Sequence, residues 1–589
     1  MTEQRDTSAL DAVLAATKEA AAQAAEASGG GKSKKSQATE LVDIANELAV
    51  ELWEDPAGDA WITFAEDDHH EHWKIRSRAA GRWLRGEYFR RHQKAVGNQG
   101  MQDALGLLEA HAHETRQQHD TYVRVAELDG RVYIDLCDLD WNAVEIEPGS
   151  WQVVSKPPVR FRRARGMRHL PVPASDGDIN ELRRFVNVAS DDDWRLLVAW
   201  MLAAWRGKGP YPILILRGEQ GSAKSTTARN LRALVDPNTS PLRAEPKELR
   251  DLMITATNSW CTAFDNLSRL PFWLSDSLCR LATGGGFAIR EHYENDQEVI
   301  FDVSRPALIT GIEDVVTNAD LLNRVLTIDL PRIPEDQRRT ERELEAAFDE
   351  AQPRILGGIL TALCRTLAVG IIKVDVPRMA DFAEKSVAAE RALGWPSGSF
   401  LSAYAGNREM ARETSLDNSL IAGLVRKIAE EGGFTGRASQ LLDRLEGQVD
   451  EQTRKRRDWP KKPNHLSGLI RRLTPDLHAA GWADVRFGAR TGAKGTQITI
   501  LKVRSAADTR PSRAEPAPEV SIGVDSVDGQ EGDRHPISGH FELAGVDGVG
   551  GVDHFPQISS RGVGGPSAPQ SGDDGTGWDD DDDGWEPIA

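Results

Sequence analysis

Apolar and polar positions fall into three kinds of pattern along this chain, and each kind predicts a different element. Residues 39–52, 102–118, 191–205 and 341–366 repeat their apolar positions at helical spacing, and 73–92 reads as one or two basic helices. Stretches 60–65, 122–126, 131–136, 143–146 and 152–154 alternate like strands of an antiparallel sheet. Short apolar runs at 213–216, 258–264, 307–310 and 325–330 have no polar face, as a buried strand requires. The helical pattern continues over 377–407, where Pro396 and Gly398 mark a loop. A further set follows, with helices at 418–431, 438–446 and 465–473 and strands at 485–487 and 497–501.

The run at 213–216 ends in a glycine-rich turn that opens onto a helix: ILILRGEQGSAKSTTARN. Gly218, Glu219, Gln220, Gly221, Ser222, Ala223, Lys224, Ser225 and Thr226 follow the P-loop pattern with one departure, Ala223 where a second glycine is expected. Backbone N–H groups of such a turn wrap a phosphate, the lysine reaches the β/γ-phosphates and the Ser225 hydroxyl ligates Mg²⁺. Alanine substitutes for glycine there on the expectation that φ stays negative. The stretch therefore predicts a site for ATP and Mg²⁺. The GGGKSKKS segment at 29–36 contains a similar triplet, but no strand precedes it.

Charge changes the picture only once it is located. The chain of 589 residues carries a formal net charge of −19, yet residues 506–589 hold 18 acids against four bases, which is 14 of that excess. The body is close to neutral, which leaves room for local basic surfaces. No apolar run approaches the ~20 residues of a membrane span. The charged N-terminus lacks a signal-peptide core, so a cytoplasmic protein is expected. Cys137, Cys261, Cys279 and Cys364 lie far apart, as reduced thiols do, without metal-ligand spacing. His69, His70, Glu71 and His72 resemble a metal cluster in composition only, since neighbours on a strand point to opposite faces; the stretch reads as a solvated hairpin tip.

Downstream of the turn, the second apolar run ends at Asp265-Asn266, where a strand-terminal carboxylate holds Mg²⁺. Asn266 can orient a water but cannot take its proton. TGGG at 283–286 leads into a basic, aromatic segment with Arg290, His292 and Tyr293. The third run ends at Thr310, and Asp320-Leu321-Leu322-Asn323-Arg324 precedes the fourth.

This compact order resembles the superfamily 3 helicase core, a variant of the AAA+ fold. The wider stretch 59–404 resembles phage- and plasmid-encoded primase-helicase ATP-binding proteins through YPILILRGEQGSAKST, LCRLATGGGFAIR and PRMADFAE. The resemblance implies that 283–290 shapes a DNA-contacting hairpin, with Arg290 and His292 as contacts. It implies that Thr310 stands at sensor 1, where the superfamily has Asn, and that Arg324 is an arginine finger supplied to a neighbouring subunit. It also implies a homo-oligomer, a hexameric ring on single-stranded or forked DNA. No acidic triad of a primase is recognisable in 40–200.

The three helices and a Gly/Lys/Arg-tipped hairpin in 415–504 are the layout of a winged helix, with Arg471 and Arg472 on its recognition helix and Arg490 and Lys494 on its wing. Beyond 504 too few apolar residues remain to bury, so an acidic disordered tail is expected, available to replication partners. The expected fold is α/β: a disordered 1–38, a mixed α+β domain at 39–190, a P-loop AAA+ core at 191–410, the winged helix at 415–504 and the tail at 505–589. Two functions follow. One is an ATP-hydrolysing DNA helicase of a mobile genetic element; the alternative is a nucleotide-dependent DNA-binding loader or switch with slow or no hydrolysis, which Asn266 and Thr310 favour.

Overall fold

The computed structural model describes residues 35–268, 270–290, 298–301, 303–311, 319–376, 378–456, 459–488 and 496–503; of 287–290, 298–301 and 319 it describes the backbone alone. Of the disorder expected over 1–38, residues 1–34 lie outside the described residues, as does the acidic tail, whereas Gln37 and Ala38 belong to the first helix and Ala38 is buried in its core. No described helix is long and apolar enough to cross a membrane.

The first layer pairs three helices with a small sheet. Helices α1 (Gln37–Glu47), α2 (Arg78–His92) and α3 (Asn98–Thr115) cover one face of the antiparallel strands β1 (Glu51–Glu54), β2 (Ala60–Glu66) and β3 (His69–Lys74). Leu41, Ile44, Leu84, Met101 and Leu108 form its core, and Phe64 stacks on Trp83 at 4.1 Å. Ser36 and Ser77 cap α1 and α2 by accepting from backbone amides of the first turn. Two sequence expectations are corrected in this layer. The helix expected over 39–52 ends at Glu47, because Ala49 takes a left-handed φ of 50° and the chain re-enters as β1. The histidine cluster is not a hairpin tip but the strand β3 itself; Asp67, at φ 46°, makes the turn, and His69 is buried.

The second antiparallel sheet, β5 (Val125–Leu128), β6 (Arg131–Asp135), β7 (Ala143–Glu147) and β8 (Ser150–Val154), follows the short strand β4 (Thr121–Tyr122), which pairs with β9 (Arg160–Phe161). Its inward residues Val132, Ile134, Val144 and Ile146 share one core with α4 (Asp191–Ala204) and with the long helix α9 (Glu341–Val369). The apolar core therefore runs without a break across residue 190. Gly357 and Gly358 of α9 make this possible: a Cβ on either would lie within 2.2 Å of backbone atoms of residues 174–179.

At the centre, β10 (Ile213–Arg217), β11 (Thr262–Leu267), β14 (Ala307–Gly311) and β15 (Val325–Asp329) form a parallel sheet in the order β11-β14-β10-β15. Leu214, Leu216, Leu308, Leu326 and Ile328 face α4, α5 (Lys224–Val235) and α9. Ile213, Ile215, Phe264, Ile309 and Val325 face α6 (Leu249–Asn258) and α7 (Phe272–Thr283). Both faces are buried, which is why these strands read as continuous apolar runs. The strand expected over 258–264 begins only at Thr262. Asn258 ends α6, and the Asp236 carboxylate takes the amides of Trp260 (2.8 Å) and Cys261 (3.1 Å) before the strand starts. Between β11's helix α7 and β14 lies an antiparallel hairpin, β12 (Phe287–Arg290) with β13 (Glu298–Phe301).

After α8 (Ala319–Leu322), α10 (Ala380–Ala392) and α11 (Ser399–Asp417), a separate core begins. It holds α12 (Leu420–Glu430), β16 (Phe434–Arg437), α13 (Ala438–Glu446), α14 (Glu451–Lys455), α15 (Pro463–Ala479), β17 (Asp484–Phe487) and β18 (Gln497–Leu501), with the antiparallel order β16-β18-β17. Ile421, Val425, Leu441, Leu466, Ile470, Ile498 and Ile500 fill it. Strand β16 follows two glycines with positive φ, Gly432 and Gly433, and has too few apolar residues to be legible as a strand beforehand.

Candidate functional site

The site lies at the C-terminal end of the parallel sheet, where β10 turns into α5. Gly218 is required by close approach, since a Cβ there would sit 2.4 Å from the Leu330 carbonyl oxygen. Gly221 has φ 85° and is exposed with Glu219 and Gln220, whereas Ser222 is buried. Ala223 adopts φ 62° and ψ 30°. The expectation of a negative φ at this position is therefore wrong: the alanine takes the left-handed conformation that the glycine of the pattern would have taken, at a steric cost. Asn187 fixes the turn from outside by donating to the carbonyls of Ser222 (3.1 Å) and Pro331 (2.6 Å).

Within this frame the polar side chains converge. The Lys224 ammonium folds back over the turn and donates to the carbonyls of Gly218 (2.6 Å) and Glu219 (2.8 Å). Burial lowers its pKa, and the nearby Asp265 carboxylate opposes that shift. Ser225, in the first turn of α5, donates its hydroxyl to Asp265 at 2.9 Å. Thr310, from the neighbouring strand β14, accepts from the Asn266 amide at 2.8 Å and donates to the same carboxylate. A bulge between Phe264 and Leu267, with Asn266 at φ 55°, turns Asp265 toward α5. Ser225, Asp265 and Thr310 thus meet at one point, with the Asn266 backbone amide on Thr310 and Lys224 close enough to feel the Asp265 charge, although they come from three elements.

A hydroxyl and a carboxylate within hydrogen-bond distance, beside a lysine and the unpaired first amides of a helix, suit Mg²⁺ and a triphosphate. Next to them opens a cleft of 620 Å³ that reaches Ala223, Ser225 and Thr226. Its far wall includes Arg184, Phe185, Arg229, Arg338 and Arg339. Sequence reasoning missed these residues. The Arg-Arg pairs at 183–184 and 338–339 were visible, but only the fold brings the 3-10 turn Ile179–Arg184 and the segment after β15 to the same turn.

Other predicted residues stand elsewhere. Arg324 precedes β15, and its carbonyl accepts from the Ile213 amide at the start of β10, so it sits at the opposite end of the sheet from the glycine-rich turn. Its guanidinium donates to the Asp320 carbonyl at 3.0 Å. Arg290 closes β12, while His292 and Tyr293 lie outside the described residues. Arg471 and Arg472 are exposed on α15, and the Arg471 guanidinium lies 4.0 Å over the Phe487 ring. Arg490 and Lys494 lie outside the described residues.

No protein of curated function matches the chain. Among solved structures, the apo C-terminal region of NrS-1 is similar at 13% identity, covering 79% of this chain and 98% of that one, with a TM-score of 0.34. A JCV helicase bound to a small molecule is similar at 15% identity over 38% of this chain and 66% of that one, with a TM-score of 0.19. Likenesses at that level say nothing about the chemistry of the site. Residues 179–407, which contain the parallel sheet and the convergent side chains, match the actinomycete integrative conjugative element replication protein, RepA. Residues 421–514 match the C-terminal domain of the same RepA, so this chain is similar, in the same order, to both modules of that replication protein of integrative conjugative elements.

Proposed function

We propose that this chain is an ATP-dependent DNA helicase or replication ATPase of a mobile element, with a P-loop AAA+ core of the superfamily 3 kind and a C-terminal winged helix. The observation that carries the reading is the convergence of Ser225, Asp265 and Thr310 on one point, with Lys224 close by, behind a glycine-rich turn. Bound between Ser225 and Asp265, Mg²⁺ would supply charge neutralisation to the phosphate oxygens. Lys224 exchanges the loop carbonyls for the phosphates, and the first amides of α5 complete the cradle. Asp265 holds its orientation through two hydroxyl donors, Ser225 and Thr310. The Asn266 carboxamide orients the attacking water without removing its proton, so turnover rests on positioning and charge stabilisation. The strand order β16-β18-β17, with three helices packed on it, suits a winged helix, and α15 presents Arg471 and Arg472 outward.

ATP hydrolysis by the purified chain, with and without single-stranded DNA, tests the reading. Lys224→Ala is expected to abolish turnover while the thermal unfolding transition stays in place; wild-type turnover in that variant excludes the assignment. The second reading, a loader or switch, is favoured by Asn266 and Thr310, since neither a carboxamide nor a hydroxyl takes a proton from water. Strand displacement on forked DNA separates the two: a loader binds the fork with ATP and leaves it paired.

A further inference from the structure

We propose that the outward face of α2, in the N-terminal layer, is a binding surface for single-stranded DNA. The helix lies outside both regions that match the RepA family. Arg78, Arg82, Arg85 and Phe89 recur at i, i+4, i+7 and i+11, which places them on one stripe roughly 16 Å long. The opposite stripe, Ala80, Leu84 and Tyr88, is buried against α1, α3 and the small sheet.

Three observations point from this stripe to a polyanion. First, Arg78, Arg82 and Arg85 are exposed, and no carboxylate lies within ion-pair distance of any of them among the described residues. The single acid of the helix, Glu87, is held by Arg90 and by Arg91 (2.9 Å). Second, the arrangement works against the helix that carries it. Arg78 and Arg82 stand at a spacing where like charges repel, and the first turn has no acid to complement the helix dipole. A face selected for stability would carry the reverse pattern. Third, Phe89 is 54% exposed on the same stripe, just past the last arginine. Guanidinium groups that meet phosphates, followed by an open aromatic ring, are the two components of single-strand recognition: backbone neutralisation and base stacking. A duplex has no unstacked base to offer the ring, so single-stranded DNA is the occupant this face fits.

The experiment is a titration of labelled oligodeoxythymidine with the full chain, without nucleotide, across a salt series. Working without nucleotide makes the result independent of the ATPase reading. The triple variant R78A/R82A/R85A is expected to lower the slope of log K against log salt by about 2, three phosphates at about 0.7 each. Phe89→Ala is expected to weaken binding about five- to 150-fold at every salt concentration with the slope unchanged, because stacking releases no counterions. Removal of like charges from a solvated face leaves the fold intact, which thermal unfolding checks, and Phe89→Ala gives a second variant that alters no charge. An unchanged slope in the triple variant overturns the proposal. So does a loss confined to duplex DNA, which would make the face a duplex contact.

Discussion

Ala223 shows at the scale of one residue how a motif survives a departure from its pattern. With φ 62° its methyl group crowds the neighbouring carbonyl, at roughly 1–2 kcal/mol. Ala223→Gly is expected to stabilise the chain by about 1 kcal/mol in urea titrations, the relief of strain exceeding the entropy that glycine loses. A less stable variant would mean the turn is not strained. His72 is a second residue whose state the fold sets. Thr63 Oγ1 accepts from Trp53 Nε1 (2.9 Å) and from Arg160 (3.1 Å), so its own proton goes to His72 Nδ1 at 2.8 Å, and the ring is neutral there. Burial, with Arg160 adding to it, pushes the pKa down to about 3. Below the unfolded value near 6.5 the unfolded chain takes up a proton that the folded chain refuses, so stability is lost as pH falls from about 6.5 toward 3. Near pH 4.5 the loss from this group is on the order of 3 kcal/mol. His72→Asn keeps an acceptor at the same place and cannot titrate; urea midpoints at pH 7 and 4.5 should lie closer together than in the wild type.

Among the elements, the end of α5 is where the site is locked to the rest of the molecule. Asp236, fully buried, meets Arg124 at 3.2 Å and Arg232 at 3.1 Å and also takes the amides of Trp260 and Cys261, just before β11. One carboxylate therefore fixes the helix behind the glycine-rich turn, the strand that carries Asp265, and the sheet β5–β8 through Arg124. Asp236→Ala would leave two buried guanidinium groups without their anion, at about 3–5 kcal/mol. A loss under 1 kcal/mol in urea titrations would show that the cluster does not hold these elements together. The sequence offered no hint of this hub, because Arg124 and Asp236 are 112 residues apart and neither belongs to a motif. The elements themselves were more legible. Continuous apolar runs gave the parallel strands, whereas α6 was missed because its short amphipathic stretch follows an irregular segment and runs directly into the strand.

At the scale of the whole molecule, the ring implied by the superfamily 3 resemblance makes a prediction at Arg324. This arginine stands at the opposite end of the sheet from its own glycine-rich turn, so a role at a nucleotide requires a neighbouring subunit. If the chain works as the ring that the resemblance implies, Arg324→Ala is expected to retain ATP affinity and lose turnover, since a finger in trans is worth roughly 10³–10⁵ in rate. Mixing it with Lys224→Ala before nucleotide and DNA are added should restore part of the activity, because some interfaces then pair an intact lysine with an intact arginine. No recovery, with subunit exchange confirmed by mass, removes the trans role of Arg324.

The sequence by itself determined the parts that depend on short-range order. These are the turn from Gly218 to Ser225, the strands whose apolar runs report burial on both faces, and the helices with clear periodicity. It also placed Asp265 on the second strand, although that strand runs past it to Leu267 through a bulge. Tertiary structure alone decided what depends on which strands become neighbours. Pairing of β14 with both β10 and β11 puts Thr310 against Asp265, and the bulge after Phe264 aims that carboxylate at Ser225. The same holds for the cleft, where Arg184 and Arg338 come from segments more than 150 residues apart, and for the neutral state of the half-buried His72. The left-handed Ala223 belongs with them: local propensity argues for a negative φ, and the packing of Gly218 against Leu330 and of Asn187 against Ser222 and Pro331 overrides it.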